Sequence, residues 1–168
     1  MSPFVTFNKI LVPHDGSKSS DRALEYAVKI AGENKECEII IMHVIPSLPV
    51  PFPSAKHGRI KAASPSYLHD IYQEMESNAD KILDKLKQSW ASSSDVPVRT
   101  HVVIVGNVAQ RIVDYAKEHA MDLIVINSRA EVLMGPHSRF SFWVPIGSVS
   151  RAVSEMAPCP VLLVRQVQ

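Results

Sequence analysis

Five short aliphatic runs punctuate the chain, and the segments between them repeat their apolar positions at helical spacing. The runs are KILVP (9–13), CEIIIMHVI (37–45), VRTHVVIV (98–105), DLIVI (122–126) and VLLVR (161–165). Most of them are apolar at consecutive positions, which marks strands covered on both faces. Between the first two, Ala23, Leu24, Ala27, Val28, Ile30 and Ala31 share one helical face, with Ser17 or Ser19 as the cap and Gly32 as the stop. A long helix is predicted from about Tyr67 to Trp90 on Leu68, Ile71, Tyr72, Met75, Ala79, Ile82, Leu83, Leu86 and Trp90. Val108, Ile112, Val113 and Ala116 define a third helix, and SVSRAVSEM (148–156) a fourth. Strands alternating with helices imply an α/β fold, a five-stranded parallel sheet with helices on both faces and right-handed crossovers. Residues 46–66 carry Pro46, Pro49, Pro51, Pro53 and Pro65 and are expected to form a surface excursion.

Length and charge narrow the function. A chain of 168 residues is expected to form a single domain over 1–168. Its formal net charge of +1 implies no general attraction to nucleic acid or to an anionic membrane. No run of about 18 apolar residues is present to span a bilayer. The opening MSPFVTFNKILVPHDGS lacks a basic start and a long apolar core, so a cytoplasmic location is expected. Cys37 and Cys159 read as reduced thiols, and no Cys/His cluster has metal-ligand spacing. The chain has no G-x-x-x-x-G-K-[ST] loop, no G-x-G-x-x-G after its first strand and no G-x-S-x-G elbow. His14, Asp15 and Ser148 offer no oriented base. No catalytic residue is expected, and the chain is not read as an enzyme, slow ATP hydrolysis apart.

In such sheets ligands bind beyond the carboxyl ends of the strands, where the strand order reverses. The residues there are His14-Asp15-Gly16, Val44-Ile45, Gly106-Asn107 and the segment from Asn127 to Ser148. Asp15 has two readings: a carboxylate for ribose hydroxyls, or a cap for the next turn. Gly147-Ser148 also has two: a helix start whose N–H groups and dipole favour an anion, or an ordinary start with a serine cap.

These residues carry a resemblance. KILVPHDGSKSSDRALEYA, IIMHVI, GNVAQRIVDYAKEHAMDLIVINSR and IGSVSRAVSEMAPCPVLLVR together resemble the universal stress proteins of the UspA-like superfamily over about Lys9 to Arg165. The resemblance implies a Rossmann-like sheet of the adenine nucleotide alpha hydrolase type, in the order 3-2-1-4-5. It implies a homodimer paired through the last strand, here Val161, Leu162, Leu163 and Val164. It also implies a site in which Asp15 meets the ribose, the Val44 backbone meets the adenine edge, and Pro13 and His14 line the pocket. Asn127, Ser128, Arg129 and Ala130 would form the phosphate loop. Gly147, Ser148, Val149 and Ser150 would give the phosphates N–H and hydroxyl contacts.

The family divides into ATP binders and members that do not bind ATP. The binders resemble one another in a pattern after strand four: Gly, two residues, Gly, nine residues, then Gly with Ser or Thr. Here Gly147-Ser148 matches, whereas Asn127 and Ala130 replace the first two glycines, and sixteen residues, Glu131 to Ile146, stand where the pattern has nine. Asn tolerates left-handed backbone and Ala does so poorly, so Ala130 is the harsher change if φ is positive there. Arg129 and Arg139 have two readings: an offset to a triphosphate's charge, or solvated arginines on the loop. The extended loop 127–146 carries Phe140, Phe142, Trp143 and Val144, for which a lid over the site, a dimer contact and local packing are the three uses. The expected function is a nucleotide-binding stress-response regulator, with ATP and Mg²⁺, or AMP, as ligand. The alternative is a member that binds no ATP and acts through dimerisation and a regulatory partner.

Overall fold

The computed structural model describes residues 6–32, 34, 36–46, 65–91, 97–105, 107–128 and 146–165. Nine elements follow in chain order: β1 (Lys9–Pro13), α1 (Lys18–Ala31), β2 (Glu38–Pro46), α2 (Pro65–Ala91), β3 (Val98–Val105), α3 (Val108–Glu118), β4 (Leu123–Asn127), α4 (Ser148–Met156) and β5 (Val161–Val164). The strands form one parallel sheet in the order β3-β2-β1-β4-β5. Each strand sends alternate side chains to opposite faces. On one face Ile10, Val12, Ile39, Ile41, Leu123 and Val125 pack with Ala23, Leu24 and Ala27 of α1 and Leu83 of α2. On the other, Leu11, Ile40, Met42, Ile124 and Ile126 pack with Ala109, Ile112 and Ala116 of α3 and Val153 of α4. Each fully buried Leu or Ile contributes about 1.5–3 kcal/mol, which is why runs apolar at consecutive positions make this double-sided core.

The helix boundaries follow local chemistry. Ser17 caps α1 by accepting from the Ser20 N–H, and Gly32 ends it at φ 55°. Asn107 caps α3 through the Gln110 N–H. Ala120, at φ 50°, ends that helix with Met121 N–H donating to Ala116 C=O at 2.9 Å and Ala120 N–H to Lys117 C=O at 3.3 Å. Those two bonds define a Schellman cap with alanine in the left-handed position. The long helix starts at Pro65, earlier than the expected Tyr67, and proline suits a first turn because its missing N–H would have no helical partner there.

Several strand boundaries shift by one residue from expectation, and two of the strand ends bear on the site. Pro46, expected to open the excursion, is instead the last residue of β2, paired with Val105. The register of β1 with β2 stops at Pro13 and Met42, and the Met42 carbonyl accepts from the His14 N–H at 2.8 Å. With a two-residue period, Met42, Val44 and Pro46 turn their backbone polar groups to the same side, the side from which β1 has departed. Proline at 46 therefore forfeits no ladder bond. Asn127, expected as the first loop residue, closes β4 opposite Val164. The prolines of 47–64 and the aromatic loop lie outside the described residues. Among the described residues no helix is long and apolar enough to cross a membrane.

Candidate functional site

The chain reverses its direction across the sheet between β1 and β4, so the crevice above their carboxyl ends is the place where this topology admits a ligand. Asp15 stands there, exposed, directly after β1. Three donors converge on its Oδ1: the Ser17 N–H at 3.0 Å, the Ser17 hydroxyl at 2.5 Å and the Ser20 hydroxyl at 2.5 Å. Its Oδ2 has no partner among the described residues. Partial burial would raise the carboxyl's pKa, but the hydrogen bonds from Ser17 and Ser20, with the nearby His14, hold it below the ordinary 3.8. Asp15 is thus an anchored carboxylate with one oxygen spent and one available. The turn beneath it requires Gly16, whose φ of +84° side chains rarely adopt.

His14 supports this turn. Its ring is buried, with Nε2 at 3.1 Å from Asp21 Oδ1 and Nδ1 accepting the Gly16 N–H at 3.1 Å. Accepting at Nδ1 places the neutral ring's proton on Nε2, as donor to Asp21. Burial depresses the ring's pKa from 6.5, against the opposing pull of Asp21 and Asp15, and His43 adds to the depression. The His14 carbonyl in turn accepts from His43 Nδ1 at 2.8 Å. Pro13 is buried with His14. These residues hold the floor of the crevice, and neither nitrogen of His14 is left for a ligand.

The β4 side is built from Asn127, Ser128 and the start of α4. Ser128 is buried; its N–H donates to Val164 C=O at 2.9 Å, and its carbonyl accepts the Gly147 N–H at 2.8 Å and the Ser150 hydroxyl at 3.1 Å. Ser150 also reaches the Gly147 carbonyl at 3.1 Å, so its hydroxyl is turned into the fold. Ser128 and Gly147 therefore clamp both ends of the intervening loop together. Gly147 is the N-cap of α4 at φ −57°, with no side-chain cap bond. The Arg151 N–H donates to Gly147 C=O at 2.9 Å. The N–H groups of Ser148, Val149 and Ser150 have no acceptor among the described residues, the arrangement that favours an anion. Asn127 reaches across the crevice, its Nδ2 donating to Ser19 Oγ of α1 at 3.1 Å.

Val44 lies half-buried in the part of β2 that rises past β1, paired on its far side with β3. Its N–H and C=O share the direction of the Met42 carbonyl, out over the end of β1, where they form a donor–acceptor pair beyond the last β1 partner. Among the described residues no group of three or more His, Cys, Asp or Glu is placed to hold a metal ion.

A family model described as the universal stress protein family matches residues 6–165. The chain belongs to the universal stress protein family. Universal stress protein YxiE of Bacillus subtilis (strain 168) is 35% identical over 159 residues, covering 95% of this chain and 99% of the relative. Universal stress protein UspA from Lactobacillus plantarum superposes with a TM-score of 0.73 at 28% identity, covering 96% of this chain and 100% of that one. A universal stress protein family protein from Arabidopsis thaliana, solved with AMP bound, shares the fold at a TM-score of 0.61 and 19% identity, covering 95% and 92%.

Against this family frame the departures acquire a structural meaning. Asn127 is in a strand, so the first replaced glycine sits where no left-handed backbone is needed. Arg129, Ala130, Arg139 and the aromatic positions lie outside the described residues. The extra loop residues enter and leave at one clamped point, and closing a longer loop costs little: each doubling of length adds about 0.6 kcal/mol. The structure brings Pro13, His14, Asp15, Asn127, Ser128 and Gly147–Ser150 to the β1–β4 edge and Val44 to the neighbouring strand. Sequence reasoning missed the serine cluster of Ser17, Ser19 and Ser20 as part of the site, along with Asp21 and His43. The serine run SKSS beside Asp15 was a signal for the first; nothing local announced the other two.

Proposed function

We propose that this universal stress protein is a regulator that binds an adenine nucleotide, AMP or ATP with Mg²⁺, in the crevice above β1 and β4. The observation that carries the reading is the Asp15 carboxylate, fixed through Oδ1 with Oδ2 open. An oxygen that accepts only, held at a topological switch point, suits the hydroxyls of a ribose. The N–H and C=O of Val44 match the acceptor–donor edge of adenine, and the uncapped start of α4 suits phosphate. Support also comes from the Arabidopsis protein of the same fold, which holds AMP. Mg²⁺ would arrive with the triphosphate and take its ligands from phosphate and water. With both ring nitrogens of His14 occupied, the site favours holding a nucleotide over turning it over. The half-exposed edge of Val161, Leu162 and Leu163 supports pairing with a second copy through β5.

Calorimetric titration of nucleotide-stripped protein with AMP and with ATP–Mg²⁺ tests the reading. Micromolar binding lost in Asp15→Ala is expected. No heat from protein shown to be folded overturns the proposal. Light scattering at micromolar protein is expected to give a dimer mass, and a monomer mass rejects the pairing.

A further inference from the structure

Asp15 is joined to the far side of the crevice by a chain of short polar contacts. Ser17 Oγ lies 2.8 Å from Ser19 Oγ, and Ser19 Oγ accepts from Asn127 Nδ2 at 3.1 Å. The direction of this chain follows from proton counting. A serine hydroxyl has one proton, and that of Ser17 is on Asp15 Oδ1. The Ser17–Ser19 bond must therefore be donated by Ser19. Ser19's oxygen then faces Asn127 as an acceptor, which fits the amide nitrogen and not the amide oxygen. Along these three contacts the bonds run one way: Asn127 N–H to Ser19, Ser19 O–H to Ser17, Ser17 O–H to the carboxylate. Ser20, whose proton also lies on Oδ1, braces the same oxygen from the other side. Such one-way chains polarise each successive donor. Ser19, the middle of the chain, is buried, Ser17 and Asn127 are half-buried, and Asp15 is exposed.

We propose that Asn127 is a positioning residue for Asp15, acting through Ser19 and Ser17 to saturate Oδ1 and reserve Oδ2 for a ribose hydroxyl, so that the site selects ribonucleotides over deoxyribonucleotides. The proposal rests on the nucleotide-binding reading. Asn127 occupies a position where the ATP-binding pattern has glycine, yet its strand conformation makes no demand for one. The amide supplies what glycine lacks, a donor that reaches α1. It also ties the strand carrying the phosphate-side loop to the carboxylate on the ribose side.

The test uses Asn127→Gly, which removes the first donor, and Ser19→Ala, which interrupts the chain in its middle. Binding of AMP, 2′-deoxy-AMP, 3′-deoxy-AMP and 2′,3′-dideoxy-AMP is measured by calorimetry. The wild type is expected to prefer AMP to 2′-deoxy-AMP by about tenfold or more, the scale of one hydrogen bond to a charged group. Both variants are expected to reduce that preference to about threefold or less, whatever each does to binding of the dideoxy ligand, which lacks both hydroxyls. A purely structural role would weaken all four ligands alike and leave their ratios intact, and that result overturns the proposal. The Asp15 carboxyl is also titrated by NMR in the ligand-free proteins. If the wild type binds none of the four ligands, the nucleotide reading fails by itself and this titration decides the relay. A rise of the Asp15 pKa toward 3.8 in both variants supports it, and an unmoved titration overturns it.

Discussion

Replacing Ala120 with glycine should stabilise the protein, the reverse of what an alanine-to-glycine change usually does. Ala120 has φ 50° and is the only non-glycine residue with positive φ among the described residues. A left-handed L-residue costs about 1–2 kcal/mol, because Cβ crowds the following carbonyl. Glycine removes that cost but loses about 0.5–1 kcal/mol more conformational entropy on folding. The methyl of Ala120 is exposed, so its removal forfeits little burial. Both cap bonds, from Ala120 N–H to Lys117 and from Met121 N–H to Ala116, are retained because they are backbone bonds. The balance favours Ala120→Gly by about 0.5–1 kcal/mol, or a rise in Tm of about 1–4 °C for a chain of this size. Urea denaturation followed by far-UV circular dichroism measures it, at matched protomer concentration so that any assembly contributes equally. The midpoint should rise with an unchanged m-value. A midpoint that stays or falls would refute the reasoning, since it would mean that the α3 terminus does not hold alanine in the left-handed state.

The opposite substitution at Gly16 is expected to cost about 0.5–1 kcal/mol, the left-handed strain less the chain entropy that the added methyl removes from the unfolded state. The nearest atom to an added Cβ there is Ile82 Cδ1 at an ordinary 3.8 Å, so backbone conformation and not crowding sets the cost, and Gly16→Ala should destabilise about as much as the bulkier Gly16→Ser. Asn107→Ala removes the acceptor for the Gln110 N–H and is expected to cost about 1 kcal/mol in the same denaturation assay. His14 should make the fold acid-sensitive. Its folded pKa lies below the ordinary 6.5, so in the interval between the two values the unfolded chain binds a proton that the fold refuses. Its contribution is full above pH 6.5 and is lost as pH falls below it. The lowered Asp15 adds a loss of the same sign once pH drops below 3.8. Stability measured against pH in His14→Gln should lack the loss that begins at 6.5; an unchanged profile would assign that loss to other groups.

The fold was legible because its signals are local and redundant. Runs such as IIIM and LIVI are apolar at consecutive positions, and only a strand covered on both sides uses such a run well. The two misplaced strand ends at the site share one cause. Pro46 and Asn127 are residue types that ordinarily end strands, and both are tolerated because of a neighbour that sequence does not display. At Pro46 that neighbour is missing, since β1 has ended; at Asn127 it is β5, which pairs with the strand to its last residue. The candidate site was legible in its placement, at Asp15, Val44 and Gly147, because the carboxyl ends of the strands can be located from their apolar runs. The side-chain wiring was not. Asn127 and Ser19 are 108 positions apart, and His14 and His43 are 29 apart; such pairs are created by the sheet order alone.

Asp15 shows how two readings that exclude each other in sequence are compatible in structure. As the cap of a turn, an aspartate accepts from the N–H two residues on, and Oδ1 does so with Ser17. As a ligand group, an aspartate must keep lone pairs free in a fixed place. A carboxylate has two oxygens, and capping by one immobilises the other. The serines that seem to use up Asp15 therefore prepare it: without them the exposed carboxylate would rotate freely, and a ligand would bear the cost of ordering it, about 0.5–1.5 kcal/mol per immobilised side chain. The same donors favour the ionised form, so the open oxygen is an acceptor throughout the neutral range. Ser20→Ala, which removes one donor and leaves the Ser17 bonds and the α1 cap in place, should then weaken AMP binding by about three- to tenfold, within that ordering cost. A full loss of binding would instead mean that the hydroxyl of Ser20 contacts the ligand itself, and an unchanged affinity would mean that Ser17 alone suffices to hold the carboxylate.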